Sequence, residues 1–250
     1  MSVFIPSEQR LLHCMSKASY LDEALEKGLM FTAHKVTYSP GDPNTLFETM
    51  IPFIDKLLTK YGKSFATLAV FEQFKLRLIC GTISGSLPMI CFSEVSKGSR
   101  VDHHGLSFGQ WGVVVSRDWL EEQGGDRVLY IGESSPLSHH LYQVTTVSLI
   151  GGLTVNKSGE INIEEDPVRF WLDFFGHIEI RKNMQESEWR MVGAKNELNT
   201  RRFLPFDAIE CIFAPNNDLQ RVRNFVDQLA AQRKCPAPIV LAYPSAEPIQ

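Results

Sequence analysis

The sequence predicts a mixed α+β protein, with a mixed or antiparallel sheet core that carries a helical insertion. Three observations predict it. Runs rich in β-branched and aromatic residues dominate the chain from residue 88 onward. Two helical patterns follow one another directly over 44–61 and 66–83. Strands and helices do not alternate in a strict βαβ rhythm, which disfavours a doubly wound parallel sheet. The reading is one domain over 1–250 with residues 44–83 as an insertion within it.

The elements follow in order. Residues 11–15 form a short apolar strand, and a helix then starts near Ser19 with Leu21, Ala24 and Leu25 on one face. Gly28 stops it as a C′ glycine does. Residues 36–43 hold a Ser-Pro-Gly-Asp-Pro run and read as a loop. In the first inserted helix Leu46, Met50, Phe53, Ile54, Leu57 and Leu58 share a side, and Gly62 ends it. The second breaks at Ser84-Gly85. Residues 88–92, 111–116 and 127–131 read as strands, with a polar loop over 93–110 and a short helix over 118–123 between them. Residues 137–149 read as a helix and 151–166 as a loop or hairpin. Pro167 opens a helix through Phe175. Residues 177–180 and 189–192 read as a strand pair and 208–214 as a further strand. Residues 218–233 form a helix with Leu219, Val222, Phe225, Val226 and Leu229 on one face. A last strand covers 239–243.

The chain holds 25 basic and 29 acidic residues, a net charge of −4, so no overall basic excess argues for nucleic-acid binding. Its five cysteines form no C-x-x-C pair, and all but Cys235 sit among apolar residues, which reads as reduced core thiols. Residues 1–10 lack the basic and apolar segments of a signal peptide, and no apolar run spans a bilayer; the expectation is a cytoplasmic protein with no membrane partner. No P-loop, dinucleotide fingerprint or nucleophile elbow is present. The doublets His103-His104 and His139-His140 lack the helical spacing of a zinc motif.

Three segments place polar groups where apolar strands begin or end, which is where binding groups gain rigid support. His13 interrupts the first strand. Ser93 follows Pro88-Met89-Ile90-Cys91-Phe92, and the segment from His104 through Phe108-Gly109 to Trp111-Gly112 comes after it. Glu188 opens Glu188-Trp189-Arg190-Met191-Val192. Each also has a structural reading: His13 as a hydrogen-bonded core histidine, Ser93 as a turn cap, Glu188 as the ion-pair partner of Arg190 or Arg181.

These segments resemble the AbiGi family of abortive-infection, phage-resistance proteins. The likeness runs through Pro88 to Val95, His104 to Gly112, Arg117-Asp118-Trp119 and Arg127 to Ile131. It extends to Glu188-Trp189-Arg190 and to the opening stretch from His13 to Gly28-Leu29, leaving out the helical pair. The chain departs from the family pattern in carrying Cys14-Met15 after His13 and Phe108 in place of tyrosine. It is also similar to ADP-ribosyltransferase-like proteins, which use a first-strand His or Arg, a second-strand Ser or Tyr and a late Glu. The resemblance therefore implies a sheet of ADP-ribosyltransferase-like type and an NAD-dependent transferase, a toxin of bacterial phage defence. Glu188 would be its catalytic carboxylate. His13, Ser93 and His104, with Phe92 or Trp111 stacking on the nicotinamide, would bind NAD. The acceptor would be a nucleic acid or a protein. The alternative is a non-catalytic antitoxin or regulatory protein that binds a cognate partner and in which Glu188 is structural. A third class is a hydrolase using His104 and a carboxylate.

Overall fold

The computed structural model describes residues 10–38, 43–81, 83–95, 108–133, 135–158, 160–163, 165–181 and 187–243. The chain begins with β1 (Arg10–Met15), α1 (Ala18–Lys27), β2 (Leu29–Met30) and β3 (Thr32–Tyr38). Helices α2 (Pro43–Leu58) and α3 (Val70–Gly81) follow, then the long strand β4 (Ile83–Val95). Next come β5 (Trp111–Ser116), α4 (Arg117–Glu122), β6 (Gly125–Arg127) and β7 (Leu129–Gly132). The middle of the chain holds α5 (Pro136–Gly151), β8 (Leu153–Val155), β9 (Ile161–Ile163), α6 (Glu165–Gly176) and β10 (Ile178–Arg181). It ends with β11 (Glu188–Val192), β12 (Arg201–Arg202), β13 (Ile209–Pro215), α7 (Leu219–Arg233) and β14 (Ile239–Tyr243). The class is mixed α+β with a mainly antiparallel sheet, as expected. No helix among the described residues is long and apolar enough to cross a membrane.

By its internal contacts the chain divides into two compact units. The first comprises Met1–Ala33, Pro88–Val128 and Glu186–Gln250. Its sheet runs β14-β13-β5-β1-β4-β11-β6, and β3 also pairs with β4. All the pairs along that path are antiparallel except β13 with β14. A parallel pair needs a crossover connection, and α7 supplies it. One face of the sheet packs Leu11, Met15, Ile90, Phe92, Val113, Val115, Trp189 and Ile212 against α1, α4 and α7. Those helices contribute Leu21, Leu25, Trp119, Leu120, Val222 and Val226. Burying a side chain of this size stabilises by about 1.5–3 kcal/mol, so this layer is the principal source of the unit's stability. The other face carries a smaller cluster of Leu12, Val95, Val114, Cys211, Phe213 and Tyr243. Helix α1 starts at Ala18, with Lys17 at the N-cap position and no side-chain capping bond, so Ser19 lies inside the helix and does not cap it. Gly28 ends it with φ +100, and a Cβ there would collide with the backbone of Arg202 and Phe203.

The second unit comprises His34–Leu87 and Leu129–Gln185. The expected helical pair is present as α2 and α3, and it belongs to this unit. Phe47, Met50, Ile54, Leu58, Phe65, Leu68 and Leu76 form its core with Ile150, Leu153 and Ile161. Arg77 lies over the rings of Phe47 and Phe65, at 5.0 and 5.7 Å. Strands β8 and β9 form the expected hairpin. Glu72 is buried on the inner side of α3, where its carboxylate accepts the Ile161 N–H at 2.9 Å. Lys75, one turn later, donates to the Ile161 carbonyl. The two side chains thus supply both bonds that a neighbouring strand would make to Ile161.

Three expectations are corrected. The loop over 36–43 begins as strand, because β3 continues to Tyr38 and pairs with β4. The strand over 127–131 is two strands that meet at Val128: β6 is antiparallel to β11, and β7 is parallel to β10. Residues 177–180 and 189–192 are therefore not each other's partners, since β11 lies between β4 and β6.

Candidate functional site

The three strands that carry His13, Ser93 and Glu188 are immediate neighbours in the sheet, in the order β1, β4, β11. Ser93 lies opposite Leu12 on one side and opposite Glu188 on the other. Side chains of directly opposed residues share a face, so Ser93 and Glu188 stand side by side. His13 and Phe92 are each one residue out of this step and point to the opposite face. Their rings meet there with centroids 5.5 Å apart.

The β1–β4 pairing ends at Leu12–Ser93. Just past that point His13 Nδ1 donates to the Cys91 carbonyl at 2.8 Å. A carbonyl only accepts, so this bond places a proton on Nδ1 and fixes the ring's orientation. The histidine side chain takes over a backbone oxygen at the point where the ladder stops. Gly109 and Gly112, both in the segment after His104, pack close against β1. Gly109 has φ +123 and lies against the Met15 carbonyl, where a Cβ would clash; a Cβ on Gly112 would come within 3.1 Å of the His13 carbonyl.

Glu188 is held by Arg190, two residues along the same face. Arg190 Nε and Nη2 donate to Oε1 and Oε2, each at 2.9 Å. The side chains are 17% and 11% exposed, so this is a bidentate and largely buried pair. Of the two arginines the sequence offered, Arg190 takes the role, and nothing in the local pattern but its i+2 spacing pointed to it. On the opposite face the Trp189 indole donates to Glu94 at 3.4 Å, and Arg117 lies 5.1 Å over the same ring.

The remaining candidates separate. Phe92 is 1% exposed and belongs to the main core, so its ring has no free face for a nicotinamide. Trp111 lies opposite Met15, and its indole donates to Asp218 at 2.8 Å. Asp218 in turn receives two bonds from Arg221, which also reaches Asp22. Arg221 holds the Asp218 carboxyl below its usual range, with the Trp111 bond adding to the effect. Trp111 is thereby an anchor between β5 and the start of α7. His104 lies outside the described residues. Burial pushes the thiols of Cys14 and Cys211 up to about 12, which keeps them protonated and poor nucleophiles at neutral pH. Among the described residues no group of three or more His, Cys, Asp or Glu could hold a metal ion.

The chain matches no family model, no curated protein and no solved structure.

Proposed function

We propose that the chain is an ADP-ribosyltransferase-like protein that takes NAD at the β1–β4–β11 seam. One observation carries the reading: His13, Ser93 and Glu188 lie on three adjacent strands in the order His, Ser, Glu, with Ser93 directly opposite Glu188. That order is the one the resemblance implies, and the resemblance also suggests a phage-defence setting.

The chemistry asks little of the residues. The bond from ribose to nicotinamide breaks, nicotinamide leaves with the bonding pair, and positive charge develops on the ribose. A carboxylate beside it stabilises that charge and accepts the proton of the attacking protein or nucleic-acid group. Glu188 has this role. Arg190 holds both of its oxygens, so one of those bonds is exchanged when substrate binds. Ser93, next to it on the sheet face, hydrogen-bonds the ribose. His13 braces the end of the β1–β4 ladder through the Cys91 carbonyl and acts from the other face as a positioning residue.

A second reading has its own observation. The bidentate Glu188–Arg190 pair and the placement of His13 on the sheet face opposite Ser93 favour a non-catalytic antitoxin or regulatory protein in which Glu188 is structural. Label transfer from NAD to protein and nucleic-acid acceptors separates the two. For Glu188→Gln the first reading expects a near-native fold with transfer reduced on the order of 100-fold or more. Unchanged transfer with a lowered melting temperature would make Glu188 structural. Absence of transfer from the unmodified protein, with both acceptor types present, would select the binding protein.

A further inference from the structure

The second unit turns large apolar side chains outward in two places. On α3, Val70, Phe71 and Phe74 are 82%, 71% and 57% exposed. On α6, Phe170 and Phe174 are 61% and 39% exposed, one turn apart on the same side of the helix. The α3 side chains are outward for a stated reason: Glu72 and Lys75 occupy the inward side, bound to Ile161. The two faces differ in charge. Residues 55–74 carry Lys56, Lys60 and Lys63 and two acids: Asp55, whose carboxylate accepts the Phe65 N–H, and Glu72, which is buried. Helix α6 opens instead with the exposed pair Glu165 and Asp166, and its Arg169 is 2.9 Å from Asp173.

We infer that these two faces bind each other between two copies of this chain, the basic α2–α3 tip of one copy docking on the acid-headed α6 face of the other, twice about a twofold axis. Complementarity selects the occupant, because a single chain presents both an apolar helix face preceded in sequence by a lysine-bearing segment and an apolar helix face headed by carboxylates. Area selects the symmetry. At about 200 Å² for each phenylalanine and rather less for valine, the five side chains expose on the order of 600 Å² per copy. A single tip-on-helix contact covers that area once, well short of the ~1,200 Å² total of a stable interface, whereas a twofold pairing covers it in both copies and reaches that range. The inference is independent of the proposed NAD site.

Sedimentation velocity of the full chain tests it, over about 1–100 μM at about 0.1 M salt. The expected result is a concentration-dependent dimer that higher salt weakens. Phe71→Ser/Phe74→Ser and Phe170→Ser/Phe174→Ser should each weaken it by about 100-fold or more, as loss of central aromatic anchors does. Lys60→Glu/Lys63→Glu and Glu165→Lys/Asp166→Lys should each weaken it by roughly tenfold, and the four changes together should restore most of the affinity. The restoration separates a true contact from a folding defect, and melting curves of each variant check the fold. A monomer throughout the range overturns the inference. So does a dimer that none of these changes affects, or a monomer that binds phosphatidylserine vesicles through Phe71 and Phe74.

Discussion

The two units use similar side chains in opposite ways. In the first, a strand's period of two sends Leu11, Phe92, Val113 and Trp189 into one layer, and three helices cover it. In the second, a helix made largely of apolar residues buries its glutamate and exposes its phenylalanines. Among the described residues most of the exposed large hydrophobic side chains belong to the second unit, including Leu137, Val144 and Val147 of α5. The difference teaches that apolar content does not say which side faces inward. In the first unit a sheet with apolar faces decides. In the second, the backbone of Ile161 decides, because its N–H and carbonyl are bonded by Glu72 and Lys75, which turns that side of α3 inward.

The largest effect should come from the covered layer. Phe92→Ala should cost about 3–5 kcal/mol, read as a lowered urea midpoint, because it leaves a cavity beneath three neighbouring strands. A loss below about 1 kcal/mol would mean that this layer is not the main source of stability. Next comes the inverted helix. Glu72→Ala should cost about 1–3 kcal/mol by leaving the Ile161 N–H buried and unbonded, while Glu72→Gln, which keeps an acceptor oxygen, should cost less. Equal losses for the two would place the effect in charge rather than in the hydrogen bond.

A smaller effect is expected at the anchor between β5 and α7. Asp218→Asn should cost about 1–2 kcal/mol by weakening the bonds from Arg221 and Trp111. The sign with pH follows from the lowered carboxyl. Its stabilisation is complete above the ordinary aspartate value of about 3.9 and is lost as pH falls through the lower folded value, where both states become protonated. Acid unfolding of Asp218→Asn should therefore lack that part of the slope, and an unchanged slope would assign it to other carboxylates. The smallest effect should be on the exposed aromatics. Phe71→Ser/Phe74→Ser should shift the stability of the dilute monomer by no more than about 0.5 kcal/mol per site. A large loss would mean that these rings are part of the fold and not a docking surface.

Much of the fold was legible from pattern. An apolar run marked 11–15, valines marked 111–116, and helical spacing marked α1 and α7. The misread elements share a cause. Val128 joins two strands whose partners lie some fifty to sixty residues downstream, β11 for one and β10 for the other, and no local pattern names a partner at that distance. The site shows the same limit. His13, Ser93 and Glu188 stood out as polar groups at strand ends. The face each one takes depends on a register that ends at Leu12–Ser93, and the clamp on Glu188 depends on Arg190 being held on the same face.

The sequence by itself determined what depends on neighbours within a few residues: the type of most elements, their stops at Gly28 and Gly62, and the polar residues that interrupt apolar runs. Only the tertiary structure decided what depends on distant backbone. It set Ser93 opposite Glu188, took Phe92 out of solvent, tied Trp111 to Asp218 and turned Glu72 inward. The physical reason is that secondary structure follows from local dihedral preference and side-chain period, whereas strand partners and buried polar bonds are chosen by satisfying groups far apart in the chain.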